Sequence, residues 1–171
     1  PTMLVAALVI VLSTPAAAQS SFNYPSFAAP AGISFVGSGV LAGSVARITN
    51  TVSNQTGGFW HQSPVTVAAG FDTTCTFRIV SGPTLAEGLA LVLHNAATGP
   101  TTLGGTIWSL GYGVNVNPGI PNSLAIEIDT FADGFLGDIV REVSVHSRGT
   151  QPNNESESFS LGRFSNPTSL A

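Results

Sequence analysis

Beyond its first 18 residues the chain has no segment with a helical period, and this constrains its fold more than any other feature. Its 19 glycines and 11 prolines cut it into short runs rich in Val, Ile, Thr and Phe. "GISFVGSGVLA", "SVARITN", "PVTVAAGFDTTCTFRIV", "GLALVLHN", "SLAIEIDTF", "EVSVHS" and "SFSLGRF" read as strands. "TVSNQTGGFW" and "TGPTTLGGTIWSLGYGVNVNPGIPN" read as turn-rich connections. Many short strands separated by turns predict an all-β sandwich, and 171 residues suit one domain.

The composition narrows the function classes. Charged residues are 8% of the chain against a usual ~25%, while 43% are hydrophobic, enough for a core. There is no Lys, the five Arg are scattered, and the net charge is −4, so no basic face for nucleic acid is expected. The apolar run Leu4–Leu12, then Pro15 and Ala16-Ala17-Ala18, matches a signal peptide over residues 1–18. Translation from Met3 would suit it. The run is too short to span a bilayer. The expectation is a secreted or extracytoplasmic domain over residues 19–171, with no membrane insertion once the signal is removed. Cys75 is the lone cysteine and alternates with Phe77 and Ile79, which predicts a small buried hydrophobe.

Five of the nine acidic residues fall between Asn122 and Val145: Glu127, Asp129, Asp133, Asp138 and Glu142. In a strand Glu127 and Asp129 share a face, while Ala125, Ile126 and Ile128 are expected to pack. Two neighbouring carboxylates repel and resist desolvation. A bound cation, a shared catalytic proton or plain exposure to water would each make the pair tolerable. The loop that follows favours the cation. Asp129, the Phe131 carbonyl, Asp133 and Asp138 are spaced to wrap Ca²⁺, which takes six to eight oxygens, and Gly134 and Gly137 let the loop curl.

"SLAIEIDTFADGFLGD" resembles the metal-binding strand and loop of the legume-type lectins. "SFNYPSF", "GFWHQSPVTV", "GFDTTCTFRI", "AEGLALVLHN" and "LGYG" resemble further family segments, in family order. "HSRGTQPN" is similar to bacterial members. The resemblance implies a concanavalin-like, two-sheet jelly-roll sandwich holding Ca²⁺ and a transition ion, usually Mn²⁺, beside a shallow sugar pocket. It implies that Glu127 binds the transition ion, that Asp129 and Asp138 bridge both ions, and that the Phe131 carbonyl and Asp133 complete Ca²⁺. Glu142 stands where the family has a histidine ligand, which hardens that site. His146 would serve instead only if the register slips. For sugar, the resemblance implies Glu87 and Asp133 as hydrogen-bonding groups, the Phe131 ring as a stacking platform, and Gly104, Gly105 or Trp108 at the pocket. The family domain is longer at its C-terminus, so the resemblance also implies a partial sandwich with an open, association-prone edge.

Two other readings compete. Laminarinase-type hydrolases carry a second carboxylate after E-I-D, separated from the first by ~5–5.5 Å. That position here is Phe131 or Ala132, so no enzyme is expected. A structural or adhesion sandwich that keeps the ion and has lost sugar binding is the other. As a lectin, the chain would take glycans as partners, bind each weakly, and gain from display as a homo-oligomer. Trp60 is expected in the core or at its rim, Trp108 in a binding loop, and His94 as a polar strand end. Asn54 and Asn154 begin glycosylation acceptor patterns.

Overall fold

The computed structural model describes residues 21–80, 87–131 and 142–165. Its strands are β1 (Ile33–Gly37), β2 (Val40–Ala42), β3 (Val45–Arg47), β4 (Gly57–His61), β5 (Gly88–His94), β6 (Ser123–Asp129), β7 (Glu142–His146) and β8 (Ser160–Ser165). Three single 3₁₀ turns, at Gly99–Thr101, Ile107–Ser109 and Glu157–Phe159, are the only helical elements among the described residues. β1 pairs with β4, β2 with β3, and β5-β6-β7-β8 form a four-stranded sheet in that order. Every pairing is antiparallel. The all-β expectation therefore holds among the described residues, in antiparallel sheets.

Local sequence explains the joints. β2 and β3 meet through Gly43 and Ser44, with Gly43 at φ +64°. A glycine first in a two-residue loop lets the hairpin match the strand twist. At the start of β5, Gly88 has φ +133°, and a Cβ there would lie 2.1 Å from the Ile128 carbonyl oxygen. Only glycine lets β5 come this close to the end of β6. An aromatic group supports the other end of the chain. Phe22 stacks on His61 at 4.2 Å, and the Tyr24 hydroxyl bonds His61 Nδ1 at 2.6 Å.

The four-stranded sheet buries its polar face. Along β6, Ser123, Ala125, Glu127 and Asp129 are buried, while Leu124, Ile126 and Ile128 are only half-buried. Along β7, Glu142, Ser144 and His146 are buried, while Val143 and Val145 are half-buried. The expectation that Ile126 and Ile128 pack beside Ala125 is corrected. Ala125 lies on the carboxylate face and is fully buried, and the isoleucines lie on the other. The reason is what folds over the sheet. Residues 95–122 and 147–159 cross the polar face and meet its hydrogen-bonding groups, so its polar atoms are satisfied rather than stranded. The core forms where Ala96, Tyr112 and Ile120 of the first of these loops meet Ala125 of β6, with Trp60, Ala90, Val92 and Leu110 packed against it. On the other face Val143, Val145, Leu161 and Phe164 line an open groove of about 470 Å³.

Two expectations fail in residues 63–80. "PVTVAAGFDTTCTFRIV" contains no strand, and Cys75 is exposed rather than buried. Phe77 and Ile79, which alternate with it, are 43% and 42% exposed. Alternation sorts side chains onto two faces. A strand also needs a neighbour to supply its ladder, and among the described residues none pairs with this stretch.

Candidate functional site

The β6–β7 register assembles the acidic group. Asp129 lies directly opposite Glu142, and Glu127 opposite Ser144. All four therefore project from one face, with His146 opposite Ala125 on the same side. Glu127 is 4% exposed, Asp129 7% and Glu142 1%. A solvated acidic face is thereby ruled out for Glu127, Asp129 and Glu142. Like charges directly opposite across two strands are unfavourable, and burial removes the water that would screen them. The surroundings must supply compensation.

Much of that compensation comes from other side chains. Tyr112, fully buried, donates its hydroxyl proton to Glu127 Oε2. Burial first, and then the Glu127 charge and hydrogen bond, push the Tyr112 phenol far above its usual pKa, so it remains a donor. Arg163 Nη1, from β8, lies 3.5 Å from Glu142 Oε2 and 3.0 Å from Glu157 Oε2. His146 is fully buried, and desolvation holds its pKa below the usual value against the opposing pull of Glu157 and the Asn154 carbonyl. Its Nδ1 lies 3.1 Å from that carbonyl, which can only accept, so Nδ1 carries the proton. Nε2 of the neutral ring is then an acceptor, and Ser144 Oγ donates to it at 2.8 Å. Nε2 stands 3.9 Å from both Glu127 Oε2 and Glu157 Oε1.

Asp129 ends β6 and turns the chain toward the following loop. Its Oδ1 accepts the Phe131 N–H at 2.6 Å. Phe131 is 38% exposed. Beside it, the Glu87 carbonyl accepts the Thr130 N–H at 3.0 Å, which ties the segment before β5 to the end of β6. Glu87, Asp129 and Phe131 are thus brought together. Gly105 is itself buried, in the loop 102–121. Its N–H bonds the Gly113 carbonyl at 2.7 Å, and a Cβ there would lie 2.7 Å from Asn115 N. Asp133 and Asp138 lie outside the described residues. Among the described residues no three His, Cys, Asp or Glu side chains are arranged to hold a metal ion.

Trp60 takes its expected place at the edge of the core. Its Nε1 donates to the Thr102 carbonyl at 2.8 Å, and its ring meets that of His94 at 4.3 Å. The contributions of Tyr112, Ser144 and Arg163 were missed from sequence. Tyr112 stands in a Gly-rich loop with no pattern to aim it, and Arg163 reaches Glu142 only through the β7–β8 pairing. The i, i+2 spacing of Ser144 and His146 was the one available signal.

No curated protein matches this chain. The legume lectin domain matches residues 19–161, most of the length described above. The carboxylate-bearing β6, the glycine-opened β5 and the β7 strand all fall within that match. The chain belongs to the legume lectin domain family.

Proposed function

We propose that the chain is an exported, bacterial-type, Ca²⁺-dependent carbohydrate-binding domain without catalytic activity. Legume lectin domains bind carbohydrate, and the family generally binds Ca²⁺ and Mn²⁺. The observation that carries the calcium part is the link between Asp129 and Phe131. A buried carboxylate suited to the ion and an exposed ring suited to a sugar face are joined by one short hydrogen bond. Asp129 and the Phe131 carbonyl would hold Ca²⁺, with Asp133 and Asp138 from the loop. These are all oxygen donors, the chemistry this ion prefers. Bound there, Ca²⁺ supplies positive charge to desolvated carboxylates and fixes the loop.

The chain's own groups would then orient the sugar. Phe131 offers an apolar platform, as aromatic rings do for the C–H face of a hexose. Glu87 presents an acceptor from a backbone held by Thr130. Asp133 would supply a further oxygen. Gly105, in the loop 102–121, would complete the pocket. A transition ion between Glu127 and Glu142 fits the described side chains poorly, since both carboxylates already engage donors of the protein. No hydrolytic step is assigned, because the acid/base position after Asp129 is filled by Phe131 or Ala132.

Glycan-array binding of the full chain, with Ca²⁺ and with EDTA, tests the reading, together with thermal unfolding of wild type and Asp129→Ala. Array signals that vanish in EDTA, and a Ca²⁺-dependent rise in Tm lost in the variant, are expected. A silent array with an intact Ca²⁺ response would favour a structural sandwich. No response to Ca²⁺ in either assay would remove the mechanism.

A further inference from the structure

We infer that this chain replaces the second ion of its family with a metal-free clamp, in which Tyr112, Arg163 and Ser144 occupy the donors Glu127, Glu142 and His146. The inference rests on the proposed function for the identity of the site. Its content is chemical and specific to this chain.

Glu127, Glu142 and His146, the groups on this face that could ligate a transition ion apart from Asp129, already have partners. Glu127 Oε2 accepts the Tyr112 proton. Glu142 Oε2 has the Arg163 guanidinium at 3.5 Å. His146 has one lone pair for a metal, on Nε2, and the Ser144 hydroxyl points a proton at it from 2.8 Å. An incoming divalent ion would have to evict a hydroxyl, turn away a serine proton and displace a cation. It would meet repulsion from that cation until the cation left. The clamp also does the mechanical work of such an ion. It ties the loop carrying Tyr112 to β6, and β8 to β7, within the register that sets Asp129 opposite Glu142. Glu157 extends it by pairing with Arg163 at 3.0 Å, which holds the guanidinium over the β7 carboxylate. The Ca²⁺ end of the site would therefore keep its geometry with no second ion.

The test is metal content. The full chain is saturated with Ca²⁺, then titrated with Mn²⁺, and bound metal is read by elemental analysis, by loss of the free Mn²⁺ paramagnetic signal and by Tm. Wild type is expected to hold Ca²⁺, to take up no Mn²⁺ beside it, and to show no further rise in Tm. The double variant Tyr112→Phe, Arg163→Met removes a proton donor and a charge while keeping the shapes. It is expected to melt lower in EDTA and to gain Mn²⁺ binding with a rise in Tm that wild type lacks. Stoichiometric Mn²⁺ in Ca²⁺-saturated wild type overturns the inference, whether or not the variant folds. Wild type that binds neither ion overturns the calcium reading and leaves the clamp supported.

Discussion

Asn153 is the residue whose loss should be felt most for its size. It is fully buried where β6, β7 and the segment 147–159 meet. Its Nδ2 donates to Ser123 Oγ at 3.0 Å and to the His146 carbonyl at 3.2 Å, and its Oδ1 accepts the Asn154 N–H at 2.9 Å. At about 1 kcal/mol for each hydrogen bond, Asn153→Ala should cost about 3 kcal/mol. For a domain of this size that lowers Tm by about 6–12 °C. Asn153→Asp is the sharper perturbation. It nearly keeps the shape but turns a carboxylate oxygen toward the His146 carbonyl, so acceptor faces acceptor and a charge is buried. Its cost should exceed that of alanine, at about 4 kcal/mol or more. Guanidinium unfolding followed by tryptophan fluorescence would measure both. Were the aspartate variant within about 0.5 kcal/mol of wild type, the Asn153 amide could not be the link between the strands and the segment that covers them.

Two further outcomes follow from the structure. Desolvation lowers the His94 pKa in the folded state, and its ring lies against Trp60. The unfolded chain therefore binds this proton more readily, so the His94 contribution is fully present above about pH 6.5, falls as pH drops toward the lower folded value, and is level below it. His94→Gln should flatten the stability–pH curve in that interval, and an unchanged slope would contradict the burial. Cys75 is exposed, so a thiol reagent should label the native chain at nearly the rate of the unfolded one; labelling that requires denaturant would restore the buried reading.

The strands that were legible in sequence are those where alternation coincides with a partner. β5, β6 and β7 begin and end within a residue or two of the apolar runs that suggested them. β4 was hidden because "GGFWH" lies in a segment whose Gly, Asn and Thr content reads as turn. Residues 71–80 show the opposite case, an alternating run that remains at the surface. Of the site, Glu127 and Asp129 were visible because carboxylates in an apolar strand demand an explanation, and Phe131 by its place in the loop that follows them. Tyr112 and Arg163 were not, because hydrogen bonds between distant segments leave no periodic trace.

The all-β class was readable from the chain alone, and so were the residues that share a face wherever a strand forms, since side chains in an extended backbone alternate whatever surrounds them. The match to the legume lectin domain is also a property of the sequence. The tertiary structure decided which face is buried. Local hydrophobicity favours Ile126 and Ile128, yet the loops carrying Tyr112 and Asn153 close over Glu127 and His146. Burial of a polar face becomes favourable only when donors from remote parts of the chain arrive to satisfy it, and where they arrive is set by the fold rather than by local pattern.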